Sequence, residues 1–452
     1  MASDNGKIGV FPATMLVAGN MMGSGVFLLP TSLAKVGTIS LLGWVVTIVG
    51  ALLLAFVFAK LGRLAPKAGG PYAYARDYMG PYMGFQTNAI YWFANWIGNV
   101  ALPVAAVGYF SYFVPALSDP LLRTIVVLAI IWLFTFANVL GPDIVTRIQA
   151  YTTSFALVPI LGVAVFGWFF FSGSVFHGAY NVSGKDDFSA ISAAASITLW
   201  AFIGVESASV TAGVVRDPQK NVAIATLAGV ALAAVAYLLS SAAIMGMVPN
   251  GELQTSDAPF ALAAKVAIGE TGGAVVSLCA AIGAAGSLGG WILLTAQSAK
   301  AAADDRLFPA IFGRANAKDV PVSGLVIVAL LMSLMVLVTA SSPSASAQFD
   351  VIVEVAVTLT LLPYIYSCVA CYFAVEEDGK LHHIGIYWAM TSITVLYCLW
   401  AILGSTPSIV QYSFIFVLFI TPFYPFFSER RRQLGGLPIE ASAPDTRAAP
   451  QA

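Results

Sequence analysis

The sequence predicts an all-α membrane protein with twelve transmembrane helices. Of its 452 residues, 59% are hydrophobic and only 10% are charged, whereas soluble domains carry about 25% charged residues. Apolar windows long enough to cross about 30 Å of hydrocarbon recur along the whole chain. The predicted spans are residues 10–34, 38–62, 83–117, 121–140, 147–172, 190–211, 221–248, 272–300, 322–341, 350–374, 384–404 and 408–427.

The basic residues predict the orientation of these spans. Lysine and arginine near span ends resist translocation, so they collect on the cytoplasmic side. With the N-terminus inside, 17 of the 21 basic residues face the cytoplasm. The four outer ones are Lys35, Arg123, Lys185 and Lys265. The sequence therefore predicts a multi-pass membrane protein with both termini cytoplasmic, built as one transmembrane domain (1–430) and a disordered tail (431–452).

Several functional classes find no support in the residues. The net charge is −1, and the only basic run is Arg430 to Arg432, so nothing indicates a nucleic-acid partner. The four cysteines lie in apolar windows and the three histidines lie in predicted loops. No metal, nucleotide or nucleophile motif is present, and no repeated filter sequence indicates a channel. We therefore expect a transporter that uses no cofactor and no metal, rather than an enzyme.

Two of the predicted spans contain helix-weakening residues at mid-depth. The first carries GNMMGSG (19–25), and the sixth carries WAFIGVES (200–207). Glycines there weaken the helix and leave backbone groups without partners. Spans one and six are five apart, where two inverted five-helix repeats place their broken helices. We expect repeats over about 10–172 and 190–374, followed by two extra helices over 384–427.

The interrupted helices predict a site for an amino-acid head group. A break at Ser24 and Gly25 would present amides at the positive end of a half-helix, where a carboxylate binds. Free carbonyls at Met21, Trp200 and Ile203 would receive an ammonium group. Together these backbone groups would bind a zwitterion without a charged side chain.

Close helix packing is an alternative reading of the same glycines. Gly19 and Gly23 are four apart, as in small-x-x-x-small packing motifs, and for this pair packing and binding remain equally open. Asn20, a polar side chain inside the same span, favours a binding site. So does the second interrupted span.

A few polar and aromatic side chains inside the spans are further candidates. A carboxylate inside an apolar span is costly and usually serves the transport cycle, so Glu206 is a candidate gate or proton-sensitive switch. Glu354 lies near an outer span end, where it either pairs with a cation or reaches water. Trp200 and Trp291 lie at mid-span, where they either stack on a cationic substrate or pack.

Two asparagines add to these candidates. Asn95 and Asn99 are four apart and share one face of span three. Buried amides need hydrogen-bond partners, which either a substrate or a neighbouring helix would supply.

These residues resemble the amino acid–polyamine–organocation (APC) superfamily, and within it the bacterial basic amino acid/polyamine antiporters. The matching stretches are GNMMGSGVFLLP (19–30), GGPYAYA (69–75), WIGN (96–99), LWAFIGVESAS (199–209), AIMGMVPN (243–250) and SLGGW (287–291). FIGVESAS, AIMGM and SLGGW resemble the arginine/agmatine branch most.

The resemblance implies a LeuT-like fold of 5+5 inverted repeats plus two C-terminal helices, assembled as a homodimer. It implies electrogenic exchange of external arginine for internal agmatine across the inner membrane, in support of acid resistance. The implied substrate-binding residues are Asn20, Met21, Ser24, Gly25, Ala94, Asn95, Asn99, Trp200, Ile203, Trp291 and Ala356. The implied gating or pH-sensing residues are Tyr72, Tyr91, Glu206 and Tyr364.

Departures from the arginine/agmatine pattern keep other substrates open. Asn95, Ala201 and Ala356 stand where that branch is expected to have Cys, Ser and Ser, and the first two resemble lysine/cadaverine carriers. Glu354 stands where a neutral residue is expected. Exchange of lysine for cadaverine or of ornithine for putrescine is therefore the alternative, and proton-coupled uptake of a neutral amino acid is the third.

Overall fold

The computed structural model describes residues 9–23, 26–65, 69–210, 215–316, 320–378 and 384–427. Within these ranges, ten helices are long and apolar enough to cross a membrane, and a bent pair at the start of the chain makes an eleventh span. The apolar helix Val322–Val338 is shorter, with 17 residues, and coincides with the ninth predicted window. All twelve predicted windows therefore coincide with apolar helices.

The helices have the following bounds. Span one comprises Val10–Met22, the short 3-10 turn Val26–Leu28 and Leu29–Ala34; spans two to five are Ser40–Leu64, Pro81–Asn99 with Ala101–Phe110, Pro120–Leu140 and Pro142–Phe166. Span six comprises Asp187–Leu199, the 3-10 turn Trp200–Phe202 and Ser207–Val210. Spans seven to twelve are Pro218–Met247, Pro259–Asp304, Val322–Val338, Ala345–Glu377, Ile384–Leu403 and Pro407–Ile420. Pro259–Asp304 is not one continuous helix, because Ile268 and Gly269 have non-helical backbone angles. Span eight is the part that follows Gly269. Shorter helical elements are Pro71–Met79, Pro115–Ser118, Gly167–Phe170, Gly173–His177, Asn250–Leu253 and Thr421–Phe426.

Span one is bent where the sequence predicts a break. Its two halves, Val10–Met22 and Val26–Ala34, are inclined by 50°. Ser24 and Gly25 lie outside the described residues, so their predicted contact with a carboxylate remains a prediction. A Cβ on Gly19 would lie 3.0 Å from Thr153. The packing interpretation therefore applies to Gly19 whatever else this region does.

Span six is interrupted at the predicted position. Ile203 is extended, with φ −64° and ψ 129°, and Gly204 has φ +105°. That region of backbone conformation strongly favours glycine because a side chain would clash there. Helix resumes at Ser207, so the residues between Ile203 and Glu206 lie outside the helical hydrogen-bonding pattern.

Helix packing separates a central set of spans from a peripheral pair. In the most apolar window, 94% of span three is buried, against 22% in span eleven and 11% in span twelve. Span eight packs along span five, and span ten packs along span three. Span one packs on span seven and span six packs on span two. The contact between spans three and ten corresponds to the contact between spans eight and five when five is added to or subtracted from each span number. The contact between spans one and seven corresponds to that between spans six and two in the same way. Two five-helix repeats would give this correspondence.

Glycines on span eight allow its close approach to span five. A Cβ on Gly286 would lie 2.0 Å from Thr152 Oγ1, and one on Gly283 would lie 2.7 Å from Ala156. Neither contact leaves room for a methyl group. Helix packing in lipid depends on such close approach because apolar side chains gain nothing by leaving the hydrocarbon.

A glycine-to-alanine pair tests this packing. Gly286→Ala should destabilise the protein by about 1–3 kcal/mol because it overpacks a helix contact. Gly162→Ala is the matched control, since its Cβ would have no atom within 4 Å, and alanine favours helix. Thermal unfolding in detergent compares the two. A Gly286 variant as stable as the Gly162 variant would contradict the close contact.

Candidate functional site

A small closed pocket lies where the break in span six faces spans three and eight. Its volume is about 10 Å³, which is room for about one water molecule. It is lined by Ala94, Asn95, Gly98, Asn99, Leu102, Trp200, Ile203, Trp291 and Thr360. Six of these are predicted substrate-binding residues, namely Ala94, Asn95, Asn99, Trp200, Ile203 and Trp291. The structure therefore brings most of the predicted binding set together in a state closed around it.

Three hydrogen-bond donors in the pocket wall have no partner among the described residues. They are Asn95 Nδ2, Trp200 Nε1 and Trp291 Nε1, and each residue is at most 5% exposed. A buried donor left unpaired costs about 1–3 kcal/mol. A polar guest that accepts these hydrogen bonds would remove that cost.

Asn99 and the carbonyl of Ile203 present opposite hydrogen-bonding situations. Asn99 Nδ2 donates to Thr295 Oγ1 at 3.1 Å, so a neighbouring helix supplies its partner. The carbonyl of Ile203 accepts no hydrogen bond from any residue that the structure describes. It is one of the three carbonyls predicted to receive an ammonium group. The carbonyl of Trp200, another of the three, already accepts from the amide of Ile203 at 3.1 Å.

Gly98 keeps one wall of the pocket thin. A Cβ at Gly98 would lie 3.0 Å from the Trp200 ring and 3.2 Å from the Cβ of Ala356. Ala356, predicted as a binding residue, therefore lies next to Gly98 and is not among the lining residues. Gly98, Leu102 and Thr360 were not predicted. Helical periodicity from Asn95 and Asn99 would have indicated Gly98 and Leu102.

Phe349 packs against Trp200 beside the pocket. Its ring meets that of Trp200 edge to face, with centroids 6.3 Å apart and planes at 90°. Phe349 belongs to span ten, near the span end assigned to the outer face by the positive-charge distribution. The two rings form a partition on that side of the pocket.

A buried carboxylate with two tyrosines lies beside the break, toward the face that the positive-charge distribution assigns to the cytoplasm. Tyr91 donates its hydroxyl hydrogen bond to Glu206 Oε1 at 2.7 Å, and Tyr364 donates to Oε2 at 2.7 Å. Glu206 is 1% exposed. The three side chains come from spans three, six and ten, so one carboxylate ties three spans together. The structure thus joins three of the four predicted gating residues.

Tyr72 belongs to a separate cluster, at the face that the positive-charge distribution assigns to the cytoplasm. Its hydroxyl donates to Asp305 Oδ2 at 2.7 Å, and Arg76 pairs with the same carboxylate. Burial, then the bond to Asp305, raises the pKa of Tyr72 well above its usual value. Asp305 was not predicted. It directly follows span eight, and Tyr72 lies just after the turn that follows span two, so both residues lie at span ends.

The raised pKa gives a prediction for pH dependence. A phenol whose pKa lies above 10 stays protonated between pH 5 and 8, so its own titration does not weaken the hydrogen bond in that range. Tyr72→Phe should therefore leave the shape of the transport-against-pH curve between pH 5 and 8 unchanged. Uptake into liposomes across that range measures it. A displaced curve would contradict this prediction and show that Tyr72 contributes to the pH dependence.

Asn20 is placed away from the closed pocket. Its Nδ2 donates to Ser207 Oγ at 3.0 Å, and its Oδ1 accepts from Gln149 Nε2 at 3.2 Å. Asn20 and Gln149 line another cavity, of about 570 Å³, between spans one and five. Asn20 thus connects spans one, five and six, and its contact with substrate remains a prediction. Gln149 was not predicted, although it is a polar side chain within span five.

No group of three or more histidine, cysteine, aspartate or glutamate side chains that could hold a metal occurs in the part of the chain that the structure describes. The expectation that transport needs no metal or cofactor therefore remains an expectation. What the site offers is backbone carbonyls, amides and aromatic rings.

Comparison with known proteins places this site in a family. An amino acid permease model matches residues 8–435. The chain is 38% identical over 422 residues to a cadaverine/lysine antiporter of Escherichia coli, covering 92% of this chain and 94% of the relative. It is 40% identical over 370 residues to a putrescine transporter, PotE, of Haemophilus influenzae, covering 82% and 85%. A PotE of Escherichia coli is 40% identical over 365 residues, covering 80% and 83%.

These matches and the apolar helices identify a multi-pass membrane transporter, not an enzyme. The resemblance drawn from the sequence motifs is confirmed at the level of the family. These relatives are named for cadaverine, lysine and putrescine, and none of the three is named for the arginine/agmatine pair that the motifs ranked first. The chain belongs to the amino acid permease family of the APC superfamily, among the basic amino acid/polyamine antiporters.

Proposed function

We propose that this protein exchanges an external cationic amino acid for the diamine formed by its decarboxylation, with lysine and cadaverine as the first pair. The observation that carries the proposal is the 38% identity to a cadaverine/lysine antiporter over 92% of this chain. Arginine and agmatine, ranked first from the motifs alone, become a comparison pair. The membrane is the bacterial inner membrane, with both termini in the cytoplasm.

The pocket chemistry supports a substrate with ammonium groups. The carbonyl of Ile203 is available as an acceptor. The rings of Trp200 and Trp291 line the same pocket, and a cation over such a ring gains about 0.5–2 kcal/mol. The predicted amides at Ser24 and Gly25 would take the carboxylate, which the diamine lacks. Both substrates of the pair thus share the ammonium contacts.

Asn95 supports a lysine-type substrate by its amide oxygen. Its Oδ1 is a hydrogen-bond acceptor, and a terminal ammonium group is a donor that can use it. An asparagine at position 95 is also the residue type that the family resemblance associates with lysine/cadaverine carriers. Asn95 is therefore the residue we assign to the distal end of the substrate.

The closed pocket supports transport by alternating access. Phe349 and Trp200 cover one side, and Glu206 with Tyr91 and Tyr364 covers the other. A carrier must open one side at a time to exchange its cargo. We assign the Phe349–Trp200 contact to the outer closure and the Tyr–Glu–Tyr contact to the inner closure.

The charges of the substrates determine the energetics. Lysine carries one net positive charge and cadaverine carries two, so each cycle exports one positive charge. Lysine decarboxylation consumes a cytoplasmic proton for each turnover, and the exchange would therefore support acid resistance. We propose a homodimer whose contact uses spans eleven and twelve, the least buried pair.

Uptake into preloaded liposomes tests the function. Radiolabelled lysine should enter cadaverine-loaded vesicles at least tenfold faster than empty ones. Agmatine-loaded and putrescine-loaded vesicles are run in parallel with labelled arginine and ornithine. Equal uptake with and without internal amine would reject obligatory exchange. Accumulation in empty vesicles under a proton gradient would instead support the uptake of a neutral amino acid.

Ornithine/putrescine exchange is the second candidate because two putrescine transporters are 40% identical to this chain. Ornithine is one methylene shorter than lysine. A methylene in an apolar pocket discriminates by about 1–3 kcal/mol, so the preferred pair should exchange at least tenfold faster than the other. A ratio near one would indicate a carrier that accepts both pairs.

A further inference from the structure

A further cavity, larger than the transport pocket, lies on the outer side of the Phe349–Trp200 partition. Its volume is about 520 Å³. It is bounded by the end of span one, the start of span six, the start of span ten and the 404–407 connection between spans eleven and twelve. We call it the outer chamber. The proposed function makes no use of it.

Four charged side chains line the outer chamber, two of each sign. They are Lys35, Lys185, Asp350 and Glu354. Lys35 and Asp350 pair with each other at 2.7 Å, and Ser32 also donates to Asp350. This pair neutralises itself and holds the outer half of span one against span ten.

The other two charges are not paired with any described residue. The amide of Thr406 donates to Glu354 Oε1, which leaves Glu354 Oε2 without a hydrogen bond from the described chain. Lys185 makes no ion pair within that same part of the protein. Its acidic neighbours are occupied, because Asp186 accepts from Ser189 and Asp187 accepts from Asn181. The outer chamber therefore presents one available ammonium group and one available carboxylate.

The outer chamber adjoins the transport pocket. Phe349 lines the chamber, and its ring packs on the Trp200 ring that lines the pocket. A molecule held in the chamber is therefore one aromatic partition away from the pocket. Movement of these two rings would join the two spaces.

We propose that the outer chamber is a second binding site, which captures the zwitterionic head of the external amino acid before it enters the pocket. Glu354 binds the α-ammonium group and Lys185 binds the α-carboxylate. The inference rests on the proposed exchange function and adds a substrate preference to its outer face. A diamine has no carboxylate for Lys185, and its second ammonium group would face the like charge of Lys185.

The outer chamber would therefore make substrate recognition different at the two faces of the membrane. External amino acid is concentrated at the entrance, while exported diamine is rejected there. From the inside both molecules reach the pocket without passing the chamber. The outer face should consequently discriminate between the two substrates more strongly than the inner face does.

Two single substitutions and one control test the proposal in liposomes with a known protein orientation. Glu354→Gln keeps an oxygen that accepts from Thr406 and removes the charge. Lys185→Gln removes the opposite charge at an exposed position. Lys265→Gln is the control, because Lys265 is another lysine assigned to the outer face, pairs with Glu270 and lies outside the chamber. The KM for external amino acid, the KM for internal diamine and the Ki of external diamine are measured for each.

Both chamber variants should raise the KM for external amino acid about tenfold, the effect of losing one charged hydrogen bond, with an unchanged maximal rate. Neither should change the KM for internal diamine. Lys185→Gln should also lower the Ki of external diamine. Lys265→Gln should match the unaltered protein. Unchanged external KM values in both variants would overturn the proposal, as would equal changes at the two faces.

The two proposals fail in different ways. If the unaltered protein exchanges no amino acid for any amine, the exchange function is wrong. If exchange is normal and the external KM is unchanged by substitution of Lys185 or Glu354, only the proposal for the outer chamber is wrong. The assay uses whichever amino acid the unaltered protein exchanges, so the identity of the substrate does not affect this distinction.

Discussion

Glu206→Ala is expected to lower exchange at least tenfold and to destabilise the closed state. The substitution removes the acceptor for two buried hydroxyls, those of Tyr91 and Tyr364. Each orphaned donor costs about 1–3 kcal/mol, and about 1.4 kcal/mol corresponds to a factor of ten. Initial rates of exchange measure the first effect, and thermal unfolding in detergent measures the second.

A triple variant separates the lost hydrogen bonds from other effects of the substitution. Adding Tyr91→Phe and Tyr364→Phe to Glu206→Ala removes the two hydroxyls along with their acceptor. Replacing both partners of a hydrogen bond by apolar groups costs little, so most of the thermal stability should return. Exchange should remain low because the inner closure is gone. A triple variant less stable than Glu206→Ala alone would contradict the assigned contacts.

Glu206 also shows how far sequence reasoning reaches. The rarity of a carboxylate inside an apolar span indicated a functional residue, because burial in lipid penalises charge. Its partners come from spans three and ten, 115 and 158 residues away. No local pattern specifies which distant hydroxyls face a given carboxylate. Tyr91 and Tyr364 were predicted only from the resemblance to a known family.

The interruptions themselves were predictable from local chemistry. Gly204 adopts φ +105°, and such a position strongly favours glycine, so a glycine beside a buried carboxylate marked the break in span six. The sequence around Gly19 and Gly23 did not distinguish close helix packing from a broken helix. Close packing and an exposed backbone both require small residues, and only the approach of Thr153 to Gly19 and of Ser287 to Gly23 shows that packing applies.

The polar contacts of Asn20 and Tyr72 were beyond the reach of the sequence. Asn20 was predicted from its place beside the break, but its amide is used by Gln149 and Ser207. Tyr72 was predicted as a sensor, and the structure pairs it with Asp305. In both cases the side chain has the right type at the right depth. Its partner depends on helix rotation, which hydrophobic periodicity fixes only coarsely.

Trp291→Leu is expected to weaken binding of both substrates by up to about thirtyfold. A cation over an indole ring gains up to about 2 kcal/mol when it is desolvated, and the pocket is closed around Trp291, which is 5% exposed. Lysine and cadaverine share a terminal ammonium group, so both should lose affinity. Trp291→Phe keeps a weaker aromatic face, so its affinity should lie between those of the unaltered protein and Trp291→Leu. Equilibrium binding to the purified protein measures the series.

Trp132→Leu supplies the matched control for this series. Trp132 is a tryptophan on span four, 39% exposed and absent from the pocket wall, so the same exchange of side chains there should leave affinity unchanged. A purely packing role for Trp291 predicts a different pattern, in which stability falls with the loss of volume while affinity does not follow ring type. Affinity in the order Trp, Phe, Leu, with neutral Trp132→Leu, requires the ring face itself to bind the cation. Because Trp291 lies beside Gly204, where a Cβ would be 3.3 Å from the ring, the break in span six is what gives that face its room.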